Sequence, residues 1–195
     1  DAGSDATDAE NNVFIGQGTR NDNAGTSNQV VIGNTARSQG SGKFTVGTSQ
    51  STYSYLTIGG TSWSGSSDER LKKEITDSTA GLSFINDLRP VTFKWKTKNE
   101  VDSSLPHYEK DSNELVIGNS DSNVLTKHGF IAQEVKEVIV NHNLKEGFDM
   151  WSEDEADGRQ RIAPSAMMSI MVKAVQQLST QVDELKAEIQ TLKEE

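Results

Sequence analysis

Met168, Met171, Val175, Leu178, Val182, Leu185, Ile189 and Leu192 recur at alternating intervals of three and four. That spacing draws apolar side chains into one seam of an α-helix. The run makes four heptads of a and d positions and follows Pro164, a residue suited to a helix start. It predicts a helix over about residues 165–194, roughly 45 Å long at the usual rise per residue. Its other faces carry Lys173, Gln176, Gln177, Asp183, Glu184, Lys186, Glu188 and Lys193. A two-residue seam must meet a partner seam, so self-association of identical chains is expected. The alternative is return packing of this helix onto its own domain. Val and Ile at a with Leu at d lean toward two strands. The Met positions blunt that preference, and an upstream domain can overrule it.

The rest of the chain is two different polymers joined near residue 67. Residues 1–67 hold 11 of the 16 Gly, 20 Ser or Thr, no Pro and one Leu, Leu56. All Pro and all His lie beyond that point. Only 33% of the 195 residues are apolar, too few for one compact core that uses the whole chain. The first segment repeats a short apolar triplet that ends in Gly: Val13-Phe14-Ile15-Gly16, Val30-Val31-Ile32-Gly33, Phe44-Thr45-Val46-Gly47 and Leu56-Thr57-Ile58-Gly59. β-branched and aromatic residues favour strands, and Gly with Asn or Ser breaks them. Strands this short must stack on neighbours, along the chain or between chains. The expectation is an all-β, β-helix-like, intertwined stalk over residues 1–67. The alternative is a Gly/Ser/Thr-rich flexible linker.

Residues 68–195 read as an α+β domain that ends in the long helix. Leu82, Ile85 and Leu88 share one helical face, and Pro90 stops that helix. Val91–Lys96 alternates as a half-buried strand, and Leu115–Gly118 forms another short one. Ile131, Val135, Val138 and Ile139 mark a second helix over Gln133–Val140. Phe148–Trp151 and Gln160–Ala163 flank an acidic turn as a hairpin.

Several function classes fall away on composition. No Cys is present, which excludes disulfides, Cys nucleophiles and Cys-ligated metals. The net charge of −10 disfavours broad nucleic-acid binding. No apolar run approaches 18 residues, so no membrane insertion is expected. Asp1–Asp5 lacks the basic and apolar regions of a signal peptide and reads as internal to a longer chain. No cofactor is implied, and no phosphate-cradling Gly-rich loop is present. The acidic run Glu153–Gly158 lacks the spaced ligands of a calcium loop and reads as a solvated turn, so no metal is expected.

At the junction stands Ser66-Ser67-Asp68-Glu69-Arg70-Leu71-Lys72-Lys73-Glu74-Ile75. It resembles the S-D-x-R-L-K-x-x-I signature of the peptidase S74 family. These are the intramolecular chaperone autoprocessing domains that terminate bacteriophage tail fibres, tailspikes, neck appendages and endosialidases. The likeness extends through Leu88–Lys96 and Gly129–Val135 to the terminal seam, over about residues 66–195.

The resemblance implies a homotrimer that aligns three stalk chains, assists their folding and then releases itself. It implies a cut between Ser67 and Asp68, with Ser67 and Lys72 as a catalytic Ser–Lys dyad. It also implies a virion tail fibre or appendage, assembled in the host cytoplasm. The further partners are then the upstream fibre of the same chain and a host surface receptor or glycan. Fully extended, residues 67 and 72 lie about 16 Å apart. Either the backbone bends between them, or Lys72 comes from a neighbouring chain. Ser67 attacking its own carbonyl would close a four-membered ring. Attack on the preceding carbonyl is easier but cuts Ser66–Ser67, so a cut at Ser67–Asp68 needs Ser67 from another chain, or Ser67 positioning a water.

Supporting candidates are Glu69, Arg70, Glu74 and His128. Glu74 would pair with Lys72 or Arg70, and His128 would assist proton transfer. Gln133 and Glu134 fit a motif but serve equally well to cap or orient the core. His107 and His142 lie in polar stretches and read as surface residues. Two rival functions remain: a non-cleaving trimeric adhesin-like stalk, and a serine hydrolase acting in trans.

Overall fold

The computed structural model describes residues 1–4, 6–118, 125–144 and 148–194. It divides into two compact units, Asp1–Ile75 and Thr76–Glu195. The boundary lies after the junction motif, while the change of composition falls within it, near residue 67.

The first unit is a five-stranded sheet in the order β1-β2-β3-β4-β5. Its strands are β1 (Val13–Ile15), β2 (Val30–Gly33), β3 (Lys43–Gly47), β4 (Tyr53–Thr57) and β5 (Ser64–Gly65). β1, β2 and β3 are parallel, and the repeats stack in register: Val13 on Val30 on Phe44, and Ile15 on Ile32 on Val46. The repeat glycines make this stacking possible. Gly16 and Gly33 sit at φ +109° and +141°. A Cβ on Gly16 would come within 1.8 Å of the Gly33 carbonyl oxygen, and one on Gly33 within 1.7 Å of that of Gly47. No side chain fits such a gap.

Between β1 and β2 a second leg of the coil stacks on its successor. The Thr35 amide donates to Gln17 O at 2.7 Å, Arg20 N to Ala36 O at 3.1 Å and Ser38 N to Arg20 O at 2.9 Å. The interior is narrow and largely polar. Val31 and Ala36 are buried alongside Thr19, Asn21, Gln29, Ser38 and Thr45. Gln29 donates to Asn21, and Ser38 Oγ donates to Asp22 Oδ1 at 2.8 Å. This use of small polar residues inside accounts for the low apolar content of the segment.

Two features depart from the sequence expectation. The fourth repeat was expected as a strand over Leu56–Gly59, but β4 runs Tyr53–Thr57 and is antiparallel to β3. The loop from Gly47 to Tyr53 is too short for a parallel crossover, so the chain turns back as a hairpin, closed by Thr48 N donating to Thr52 O at 2.9 Å. The strands also pair within one chain. That is stacking along the chain, whereas an intertwined stalk would exchange strands between chains. The outward sheet face carries Val13, Ile15 and Val46, all exposed, with Phe44 against Trp63 at 5.6 Å between ring centroids.

The second unit combines small sheets with a long helix. Its elements are α1 (Leu82–Asp87), β6 (Val91–Phe93), β7 (Lys127–Gly129), α2 (Ala132–Asn141), β8 (Trp151–Glu153), β9 (Gln160–Ile162) and α3 (Met167–Glu194). β6 pairs with β7 and β8 with β9, both antiparallel. Past β6 the expected strand ends, and Leu115 forms only an isolated bridge with Thr97. The apolar core is Ala80, Phe84, Leu88, Val135, Ile139, Met150 and Ile170. Phe84, fully buried, takes the place at the centre of α1 that the pattern of Leu82, Ile85 and Leu88 suggested.

The seam helix α3 has two working faces. Ile170 and Ala174 are buried against the domain, and Gln177 Oε1 accepts from Leu82 N at 2.6 Å. Gln177 thereby caps α1, whose N-cap, Gly81, has no side chain to offer. A Cβ on Gly81 would meet Gln177 Oε1 at 2.3 Å. The heptad seam points elsewhere. All eight of its residues are exposed, from Leu178 at 45% to Leu192 at 71%.

Candidate active site

The junction motif closes the first unit. β5 adds to β4 through Ser64 and Gly65, and Ser66 and Ser67 follow. Asp68, extended at φ −66° and ψ 131°, caps a single 3₁₀ turn over Glu69–Leu71. Its Oδ1 accepts from Arg70 N at 2.9 Å, and its carbonyl accepts from Leu71 N at 3.1 Å. Asp is a favoured cap because its short side chain reaches an otherwise unpaired N–H. Lys72 N then donates to Glu69 O at 2.9 Å, and the chain leaves extended.

That one turn reverses the direction of the chain. Lys72 Nζ donates to Ser67 Oγ at 2.8 Å. The two side chains meet within one chain, which is the first of the two arrangements the spacing left open. Both residues are exposed in the single chain. A lysine acts as a base only when its ammonium is desolvated. The pair therefore has the contact that proton transfer needs but lacks a cover.

Asp68, Arg70, Lys73 and Glu74 pair among themselves. The Arg70 guanidinium forks onto the Asp68 carboxylate, with Nε 3.0 Å from Oδ1 and Nη2 2.5 Å from Oδ2. This side-chain bond, followed by the bond from the Arg70 amide, holds the Asp68 carboxyl below the usual carboxylate range. Arg70 is shifted upward by the same contact. Glu74 lies 3.7 Å from Lys73, not on Lys72 or Arg70, and takes a left-handed φ of +54°. Glu69 lies exposed on the 3₁₀ turn.

His128 sits in β7 opposite Thr92, exposed, in the second unit. Glu134, in the first turn of α2, pairs with Arg89, and Gln133 precedes it. Glu134 therefore ties the start of α2 to Arg89, just past the end of α1. The sequence reading placed His142 at the surface, but its side chain is only 20% exposed. It holds Asp87 Oδ2 at 2.7 Å and packs edge-on to Phe84. His107 meets Arg159 Nη1 at 3.0 Å. In the acidic turn, Asp154 accepts from Arg161 at 2.7 Å and Asp157 pairs with Arg159 at 2.5 Å. Guanidinium groups occupy those carboxylates. Among the described residues no group of His, Cys, Asp and Glu is arranged to hold a metal ion. No described helix is long and apolar enough to cross a membrane.

The Asp68–Arg70 fork was missed as a unit in the sequence, although the D-x-R spacing around a turn carries its signal. A family comparison falls on the same segment. Residues 67–144 match the Peptidase_S74 family, described as chaperone of endosialidase. The match begins at Ser67, spans Lys72 and α1 through α2, and ends before the β8–β9 hairpin and α3. No curated protein matches the chain.

Proposed function

We propose, from the Peptidase_S74 chaperone domain that residues 67–144 carry, that this chain is the folding and release end of a bacteriophage tail fibre or tailspike. Three copies assemble through the α3 seam. The assembled domain aligns three stalk units, and the chaperone part then leaves by a cut between Ser67 and Asp68. The observation that carries the reading is the 2.8 Å bond from Lys72 Nζ to Ser67 Oγ at the first residue of the family match.

The α3 seam supports the assembly step, because eight exposed apolar residues in heptad register need identical partners. The outward sheet face of Val13, Ile15 and Val46 gives the stalk units a surface on which to meet side by side. Parallel strand pairing is non-local and slow, so a helical seam that raises the effective concentration of three stalks is a useful folding aid. Removing that aid afterwards separates unfolding from refolding and leaves a kinetically trapped fibre.

The chemistry follows from the ring-size argument. Ser67 Oγ does not reach its own carbonyl carbon without closing a four-membered ring. Of the routes left open, we take the direct one: the Ser67 hydroxyl of one chain acts on the Ser67–Asp68 bond of a neighbouring chain. Lys72, desolvated by assembly, takes the hydroxyl proton as Oγ bonds to the carbonyl carbon. The C–N bond then breaks as the Lys72 ammonium returns that proton to the departing Asp68 nitrogen. One water hydrolyses the resulting ester, giving a new carboxylate and restoring the hydroxyl. Each chain is cut once. The released fibre would contact a host surface receptor or glycan through its upstream part.

Intact mass on freshly assembled protein, beside Ser67→Ala, tests the reading. Two wild-type fragments dividing at residues 67 and 68, with an uncut mutant, are expected. A wild-type trimer that stays whole would instead support a non-cleaving stalk cap.

A further inference from the structure

The segment Asp68–Glu74 is crowded with charge: Asp68, Glu69, Arg70, Lys72, Lys73 and Glu74 all fall in seven positions. A lysine expected to give up a proton is badly served by free carboxylates at its side, because an opposite charge favours the ammonium. The structure occupies the first of these carboxylates. Asp68 is adjacent to Ser67, and its carboxylate takes both Arg70 Nε, at 3.0 and 3.1 Å, and Arg70 Nη2, at 2.5 Å. Oδ1 also receives the Arg70 amide. Glu74 is within reach of Lys73. The Lys72 ammonium is left bonded to a neutral hydroxyl.

We propose that Arg70 is a positioning residue for self-cleavage: it sequesters the Asp68 carboxylate, so that Lys72 faces the Ser67 hydroxyl instead of pairing with Asp68. This deepens, and rests on, the Ser67–Lys72 reading above. The planar guanidinium suits the task because it fits a carboxylate at two points, where an ammonium offers one. The depressed Asp68 carboxyl agrees with a clasp that stays ionised across the working range. Asp68 has a second use, since the same carboxylate caps the turn that returns Lys72 to Ser67. Loss of Arg70 would leave the cap in place and free the charge.

The full chain is collected unfolded in urea and refolded by dilution over a range from mildly acidic to alkaline pH, with fragments followed by intact mass. Arg70→Gln is expected to cut about tenfold more slowly than wild type near neutral pH, because the freed Asp68 carboxylate competes with the Ser67 hydroxyl for Lys72. The gap should close as the pH rises. Adding Asp68→Asn to Arg70→Gln should recover most of the loss near neutral pH, because the amide still caps the turn but carries no charge. Arg70→Lys should fall between wild type and Arg70→Gln. A wild-type rate and pH profile in Arg70→Gln would overturn the proposal and leave the dyad standing. So would slow cutting at every pH that Asp68→Asn does not relieve, since that marks a simple folding defect. A wild-type chain that trimerises and never cuts would remove the dyad reading, and the role of Arg70 with it.

Discussion

The coil of β1–β3 and the helix α3 are both one-dimensional repeats, and they satisfy themselves in opposite ways. In the coil the backbone does the work. Each parallel strand finds its hydrogen-bond partner inside the same chain, and the glycines at the repeat ends let adjacent turns approach within carbonyl contact. The interior then needs little apolar volume. In α3 the backbone is complete by itself, and the side chains carry an unmet demand. One stripe is used on the domain through Ile170, Ala174 and Gln177, and the seam stripe has no partner in the single chain. A coil of this kind is expected to persist once formed, while the helix is expected to recruit. That is the division of labour a separable folding aid requires.

The sharpest way to break the comparison is at the coil glycines. Gly33→Val should destabilise the first unit by more than about 4 kcal/mol, the range of severe backbone clashes, and melt it without altering the second unit. Thermal melts of the two units of the cleaved protein would check this. Phe84→Ala should cost the second unit about 3–5 kcal/mol. On refolding from urea it should also lower the yield of folded coil; an unchanged yield would mean that the coil has no need of the domain.

The seam gives an effect on assembly instead of stability. Leu178→Asp with Leu185→Asp should abolish trimers and processing together. The monomer should keep its melting temperature within a few degrees, because both side chains are exposed in the single chain. Sedimentation and intact mass read the two effects separately, and efficient cutting by monomers would refute gating by assembly.

The smallest effect concerns Asp68. Its folded-state pKa is depressed, so its contribution to the turn is present above the ordinary carboxylate value and is lost as the pH falls through the lower, folded value. In uncut Ser67→Ala, the Asp68 carboxyl should titrate by NMR below the ordinary aspartate value, and Arg70→Gln should bring it back up.

Much of this architecture is legible in the residues. The Gly-ended triplets mark β1, β2 and β3, and the heptad marks α3. The stripe of Val135, Val138 and Ile139 marks α2, and the acidic turn marks the β8–β9 hairpin. The misses share a cause. β4 turned back because the loop before it is short, and loop length competes with a repeat that looks uniform. The buried Asn21 and Gln29 fall outside the apolar triplets, and nothing in a hydropathy pattern distinguishes a polar coil interior from solvent. The Gln177 cap on α1 joins residues 95 positions apart, beyond any local signal. At the site, residue spacing posed the question of how Ser67 and Lys72 meet. The answer, a 3₁₀ turn capped by Asp68, depends on backbone geometry that the S-D-x-R-L-K string only permits.

The most direct test of the account mixes chains. A mass-labelled Ser67→Ala chain is refolded alone and together with excess wild type, and each chain is then weighed. Cutting by the hydroxyl of a neighbour predicts that labelled chains stay whole alone and divide between residues 67 and 68 in the mixture. Labelled chains that stay whole inside mixed trimers, beside cut wild-type chains, would contradict it.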